Sequence, residues 1–180
     1  GASGKVGRRT LELLLSEAKN LYSENGTQLR IVALCNSSRI LWCKRREHDA
    51  DQLLQRLAAQ PSQNHSAEHL LKELSGQCFD KLVVVDASAS PDIAALYERF
   101  LTQGIAIVTP NKLANSAGFE RFEALKRLTN RQSTPNPYET TVAAAVPIIK
   151  RLLDMRRAGD KPLRVEAVLS GTIAYVLDRI

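Results

Sequence analysis

The sequence predicts an α/β fold: a Rossmann-type doubly wound parallel sheet, followed by the beginning of an α+β domain. Three observations predict it. The chain starts with a glycine-rich stretch, "GASGKVG", that runs straight into an amphipathic helix; short apolar runs then alternate with helical segments; and the texture changes after Pro135-Asn136-Pro137.

From Val6 the apolar positions Leu11, Leu14, Leu15, Ala18 and Leu21 recur at helical spacing, so Lys5 to Ser23 reads as a helix stopped at Asn25-Gly26. "LRIVALCN" is a nearly continuous apolar run, as expected of a strand buried on both faces. Helices are expected at "DADQLLQRLAAQ" and "SAEHLLKELSG", joined by the polar "PSQNH", and "KLVVVDAS" reads as a second buried strand. "SPDIAALYERFLTQG" carries a Ser-Pro helix start and a Gly stop. "IAIVTP" is a third buried strand and "SAGFERFEALKRLTN" a further helix. Beyond the boundary near residue 135 come "YETTVAAAVPIIKRLLDMRRAGD", a strand at "LRVEAVLSG" and the start of another helix. A phosphate-binding turn normally follows a strand, so a first strand is expected ahead of Gly1.

At 180 residues the chain can build one good core, or one domain plus the start of another. Its 44% apolar and 24% charged residues are ordinary for a soluble globular protein. A net charge of +6 suits an anionic partner, but the basic residues are spread out. The one dense stretch, Cys43-Lys44-Arg45-Arg46, reads as a solvated loop, and sparse aromatics argue against stacking on bases, so no nucleic-acid partner is expected. Cys35, Cys43 and Cys78 show no C-x-x-C spacing and read as reduced thiols, with Cys35 in a buried strand. The longest apolar stretch, Thr141 to Ile149, is interrupted by Pro147, so no membrane helix is expected, and the location expected is cytoplasmic.

Glycines between a strand and a helix let the backbone approach a pyrophosphate, whose charge then sits at the helix N-terminus. Gly4 and Gly7 keep the spacing of the last two glycines of G-x-G-x-x-G, with Ala2 where the first would stand. A dinucleotide fold reads the adenosine ribose at the end of its second strand, with a carboxylate for NAD or a basic group for the 2′-phosphate of NADP. Here that strand ends "CNSSR", so Asn36, Ser37, Ser38 and Arg39 favour NADP over NAD, with a plain surface arginine as the alternative for Arg39. A Walker loop needs Ser or Thr where Val6 stands, and no tyrosine has the lysine four residues on that a short-chain dehydrogenase needs.

The blocks "VVVDASAS", "GIAIVTPNKLANS", "YETTVAAAVPII" and "VEAVLSGTIAYVL", in that order and behind the opening glycines, closely resemble homoserine dehydrogenase across the whole chain. The resemblance implies an oxidoreductase of threonine and methionine biosynthesis that interconverts L-homoserine and L-aspartate 4-semialdehyde with NADP or NAD. It implies a dinucleotide-binding domain over residues 1–135 and the start of a substrate-binding and dimerisation domain over 136–180, hence a homo-oligomer. Family members can be fused behind an aspartate kinase. Ser3, Gly4, Lys5 and Val6 would touch the pyrophosphate and adjoining sugar, and Ser88 and Ala89 would line the nicotinamide side. Lys112 would be catalytic, holding a substrate oxygen or assisting proton transfer, while Asn111 and Asn115 position its loop and the cofactor. Gly171 and Thr172 would contact the amino-acid substrate. Glu139 and the backbone carbonyls of Val142, Ala144 and Val146 would hold a monovalent cation such as sodium.

Alanines at 143 and 145 stand where the family has glycines; where such glycines have positive φ, alanine is disfavoured by about 1 kcal/mol or more. The family's acidic residues for the substrate amino group, and a second lysine, lie beyond the "SGT" helix, so these 180 residues alone are expected to be inactive. Two alternatives stay open: an inactive nucleotide-binding or sensing module, and another reductase of the aspartate pathway.

Overall fold

The computed structural model describes residues 1–63, 66–77, 79–132, 138–142, 146–168 and 170–179. Helix α1 spans Lys5–Asn25 and ends at Gly26, whose φ of 64° is the left-handed conformation that closes a helix; its N–H returns to the Tyr22 carbonyl. Strands β1 (Ala33–Cys35) and β2 (Ile40–Trp42) pair antiparallel, with Leu34 opposite Leu41. Helices α2 (Ala50–Ala58) and α3 (Ala67–Ser75) follow, capped by Asp49 and Ser66, whose side chains accept from Gln52 N and His69 N. Strand β3 (Val83–Val85) leads to α4 (Pro91–Ala95) and α5 (Tyr97–Thr102), and β4 (Ala106–Val108) pairs parallel with β3. Then come α6 (Phe119–Gln132), a single 3₁₀ turn at Glu139–Thr141, α7 (Ile148–Arg157) and α8 (Gly171–Leu177).

Two apolar clusters hold α1 to α6 and the four strands, to which α7 and α8 add no buried residue, and the β1–β2 hairpin sits between the clusters. Alternation sends Leu34, Leu41 and Cys43 to one face, where they bury with Leu11 of α1 and with Leu53 and Leu57, one turn apart on α2. Cys35, Ile40 and Trp42 on the other face pack against a larger cluster built from α3, α5, β4 and α6, with Tyr97, Phe100, Leu101 and Ile107 fully buried. At about 1.5–3 kcal/mol for each fully buried large side chain, these contacts outweigh the single exposed ion pair, Arg8 with Asp51, that joins α1 to α2.

Several expectations need correction. The run "LRIVALCN" forms a three-residue strand, and its partner is antiparallel because the chain reverses at Asn36–Arg39. There Asn36 N donates to Arg39 O, and Asn36 Oδ1 accepts from Ser38 N and Arg39 N. Turn-forming Asn and Ser between "IVALC" and "RILWC" were the signal for this hairpin. The β3–β4 pair is buried on one face only: Val84 and Ile107 face the core, whereas Val83, Val85 and Val108 are exposed because no described element covers that side. The helix expected over "SPDIAALYERFLTQG" is broken at Leu96, though its Ser90 cap, accepting from Ile93 N, is present, and so is the left-handed Gly104. No strand forms among the described residues of "LRVEAVLSG". Residues 163–168 have no strand partner among the described residues and lie exposed, Leu163 almost wholly. Of the stretch Cys43-Lys44-Arg45-Arg46, read as a solvated loop, the three basic residues are exposed, but Cys43 is buried because its N–H continues the hairpin to Val32 O and its side chain joins the core. Among the described residues no helix is long and apolar enough to cross a membrane. Cys78 and Pro135-Asn136-Pro137, where the domain boundary was placed, lie outside the described residues.

Candidate functional site

The glycine turn is wedged between the carboxyl ends of β1 and β3. Gly1 N and Ala2 N both donate to Cys35 O, at 3.1 and 3.0 Å. A Cβ on Gly1 would lie 2.5 Å from the Ala87 carbonyl, and one on Gly7 only 2.2 Å from Gly1 O, so both positions exclude a side chain. Gly4 N closes the turn on Gly1 O, and Gly4 then starts α1 with no side-chain cap and no acid in the first turn. Ser3, Gly4, Lys5 and Val6 are exposed. Uncapped amides and a lysine at a helix start make an electropositive surface suited to an anion.

At the end of β1, Asn36 spends its side-chain carbonyl on the hairpin turn, while Ser37 is exposed. Arg39 is half-buried. Its Nε donates to Gln60 O at 2.9 Å, beyond the end of α2, and Gln63 N donates to Ser38 O at 2.8 Å, so the turn is clamped to the segment that follows that helix. Arg39 Nη1 also donates to Ser38 Oγ at 3.5 Å, and of the five N–H donors of a guanidinium these two bonds leave others for a further acceptor.

Behind β3 and β4 lies a buried polar network that sequence reasoning missed. Asp86, 5% exposed, accepts at one oxygen from Ser88 N (2.9 Å) and Ser88 Oγ (2.5 Å). Its other oxygen accepts from Tyr97 OH (2.7 Å) and Asn111 Nδ2 (3.1 Å). Thr109 Oγ1 donates to Asp86 O, accepts from Asn111 N and lies 2.9 Å from Tyr97 OH. Burial pushes the Tyr97 phenol well above its ordinary range, so it remains a donor. An aspartate directly after three valines, with Thr109 in the matching place after β4, was the available signal; a charge continuing a buried run must be hydrogen-bonded.

Of the predicted residues, Ser88 and Asn111 belong to this network, and Ala89 is exposed beside it. Asn111 Oδ1 accepts from Leu113 N at 3.1 Å, which shapes the loop carrying Lys112, an exposed side chain. Asn115 lies on the same loop with both its amide atoms buried and unpartnered among the described residues. Thr140 Oγ1 donates to Thr109 O, docking the "YETT" segment on β4. Glu139 Oε2 accepts from Lys150 N in the first turn of α7, while its Oε1 is buried without a partner among the described residues. Val146 O already accepts from Ile148 N, and Ala144 lies outside the described residues, as do Ala143 and Ala145. Gly171 and Thr172 are exposed at the start of α8, where Ser170 Oγ accepts from Ile173 N; no hydrogen bond among the described residues brings them to the strand-end network. Two surface grooves, of about 410 and 730 Å³, are lined around α3 by residues such as His69 and Lys72 and include none of the predicted site residues.

Compared with known proteins, residues 3–134 match the family model described as "Homoserine dehydrogenase, NAD binding domain". The chain is 33% identical over 177 residues to the chloroplastic bifunctional aspartokinase/homoserine dehydrogenase 1 of Arabidopsis thaliana, across 97% of this chain and 19% of that protein. Among solved structures it is similar to a Candida auris protein of unknown function, with a TM-score of 0.71 and 25% identity over 93% of this chain and 46% of the other. It is also similar to a hyperthermophilic archaeal homoserine dehydrogenase in complex with NADPH, with a TM-score of 0.65 and 23% identity over 84% and 46% of the two chains; this likeness shows the fold. The α/β architecture of the Rossmann type is therefore shared, and the chain spans about a fifth of the plant relative and less than half of each solved chain.

Proposed function

Because this chain belongs to the homoserine dehydrogenase family through its NAD-binding domain, we propose that it forms the cofactor side of an enzyme that interconverts L-homoserine and L-aspartate 4-semialdehyde. The observation that carries the reading is the glycine turn, hydrogen-bonded to the end of β1 and packed on the end of β3. Strand carboxyl ends meeting a helix N-terminus form the crevice in which such folds bind dinucleotides.

The residues present fit a nicotinamide dinucleotide. Ser3, Gly4, Lys5 and Val6 face the pyrophosphate, Gly4 N closing the turn on Gly1 O while the amides of Ser3, Lys5 and Val6 and the Lys5 cation are offered to it, at a point where the turn has no room for a Cβ on Gly1 or Gly7. Asn36, Ser37 and Arg39 stand on the ribose side, and Arg39 supports NADP over NAD through donors that the Gln60 carbonyl and the Ser38 hydroxyl leave unused. Ser88, Ala89 and Asn111 line the nicotinamide side, with the Asn115 amide, buried and without a partner among the described residues, supporting a polar occupant nearby. When bound, the nicotinamide ring supplies the hydride chemistry. Lys112 holds the substrate oxygen and assists movement of its proton, and Gly171 and Thr172 contact the amino-acid end of the substrate. Glu139 Oε1, buried without a partner among the described residues, supports a monovalent cation such as sodium, its other ligands being the carbonyls of Val142 and Val146 and, outside the described residues, that of Ala144.

In this reading residues 1–135 are the dinucleotide domain, and 136–180 begin a substrate domain through which two copies pair. The exposed Ile173, Tyr175 and Val176 of α8 support that pairing. A cytoplasmic location belongs to the proposal and rests on the free thiols of Cys35 and Cys43; cell fractionation checks it, since the plant relatives are named chloroplastic. The deciding experiment titrates the full native protein with NADPH and NADH by fluorescence, then follows homoserine-dependent reduction of NADP. Binding and turnover are expected, with a loss of roughly 10²–10⁴-fold in turnover for Lys112→Ala. Absence of binding by either nucleotide overturns the reading.

A further inference from the structure

We propose that Asp86 is a positioning residue that fixes the spacing between the two loops facing the reacting groups, the Ser88–Ser90 loop after β3 and the Asn111–Ser116 loop after β4. The proposal rests on the dehydrogenase reading for its kinetic consequence, but its geometric part stands by itself.

Asp86 is 5% exposed, and its carboxylate accepts four hydrogen bonds from three segments. Ser88 N and Oγ bind Oδ1, fixing the loop that follows β3; Ser88 Oγ in turn accepts from Ser90 N. Asn111 Nδ2 binds Oδ2 and also reaches Ser90 O at 3.2 Å, while Asn111 Oδ1 holds Leu113 N. The residue between Asn111 and Leu113 is Lys112, so its backbone is bracketed by an amide that Asp86 orients. Tyr97 OH, from the fully buried α5 side, binds the same oxygen as Asn111 and keeps the carboxylate from rotating. Strand pairing alone does not reach this far: β3 and β4 pair over Val83–Val85 and Ala106–Val108, with Asp86 N to Val108 O as the last backbone link.

All four groups around Asp86 are donors, and an ionised carboxylate is the side chain that accepts at both oxygens. An amide at this position carries one acceptor oxygen and one NH₂. In one orientation its NH₂ faces Asn111 Nδ2; in the other it faces Ser88 N. Either way one loop loses its tether, and the two loops are no longer held at one spacing. A displacement of about 1 Å between reacting groups lowers turnover by about 10²-fold, while a dinucleotide anchored at the glycine turn keeps its binding.

The test uses Asp86→Asn in the full native protein, with Tyr97→Phe as a second variant that keeps the charge and removes one donor. Hydrogen exchange is read by peptide, alongside NADPH affinity and the kinetics of homoserine oxidation. Faster exchange confined to residues 86–90 and 109–116, unchanged exchange in α1 and α2, near wild-type NADPH affinity, and a kcat lowered about 10²-fold with little change in KM are expected, with a smaller effect in the same peptides for Tyr97→Phe. Uniformly faster exchange through the chain in Tyr97→Phe would mean that the network only stabilises the fold, and overturns the proposal. So does unchanged exchange at 109–116 in Asp86→Asn. If the unsubstituted protein has no homoserine-dependent activity, the dehydrogenase reading fails while the exchange data still decide the positioning role.

Discussion

Gly7→Ala separates the role of the glycine turn in holding the fold from its role in holding a ligand. A Cβ at Gly7 would sit 2.2 Å from Gly1 O and 2.9 Å from Ala2 Cα, both backbone atoms that no rotamer change can move aside. Restoring an ordinary contact needs a shift of about 1 Å in a turn hydrogen-bonded to Cys35 O and packed on Ala87. Overpacking of this kind costs about 1–3 kcal/mol, and at this chain length each kcal/mol lowers Tm by roughly 2–4 °C. The turn amides move with the backbone, so NADPH binding weakens too. Gly4→Ala is the matched comparison: its Cβ would meet only Gly1 O, at an ordinary 3.4 Å, on the exposed face at the start of α1. It should leave the melting temperature near wild type and still weaken NADPH, because the methyl group occupies the approach to the amides. Gly118→Ala, with open space around its Cβ, controls for the substitution itself. Thermal melts and fluorescence titration read the two quantities separately. A Gly7→Ala protein with wild-type melting and affinity would falsify the packing argument, and wild-type affinity for Gly4→Ala would place the phosphate elsewhere.

Other substitutions probe the flanks of the site. Arg39→Ala should weaken NADPH about tenfold, equivalent to about 1.4 kcal/mol, and leave NADH unchanged, as judged by parallel titrations; equal losses for the two nucleotides would assign Arg39 to the Gln60 clamp alone. Glu139→Ala removes the acceptor for Lys150 N at the start of α7 and should lower stability by about 1 kcal/mol, seen as a Tm shift, with loss of any sodium dependence of turnover. Unchanged melting would show that this bond contributes nothing in solution.

The helices were legible because each depends on short-range chemistry. Leucine spacing on α1, the Asp49, Ser66 and Ser90 caps and the glycines after α1 and α5 are read within a few residues of one another, and the structure places them close to where the pattern put them. The glycine turn was legible for the same reason, whereas the "TPNK" loop was singled out only through the resemblance to the family. What runs of apolar residues could not specify was pairing. "IVALC" is equally suited to a parallel or an antiparallel neighbour, and the choice fell to four residues, Asn36–Arg39, whose side-chain hydrogen bonds reverse the chain. "LRVEAVL" shows the same limit from the other side, since a strand needs a partner's hydrogen bonds and no described residue supplies them.

Local sequence by itself determined most of the helices and their outer ends, though not the break at Leu96, and the glycine turn, because capping, periodicity and glycine's freedom act over a few residues. Tertiary structure alone decided that the turn meets both Cys35 and Ala87, and that Asp86 gathers Ser88, Tyr97 and Asn111 around one carboxylate. Those contacts join residues up to 86 positions apart in sequence. A buried charge is tolerated only where the fold converges enough donors on it, and that convergence is a property of the packed chain.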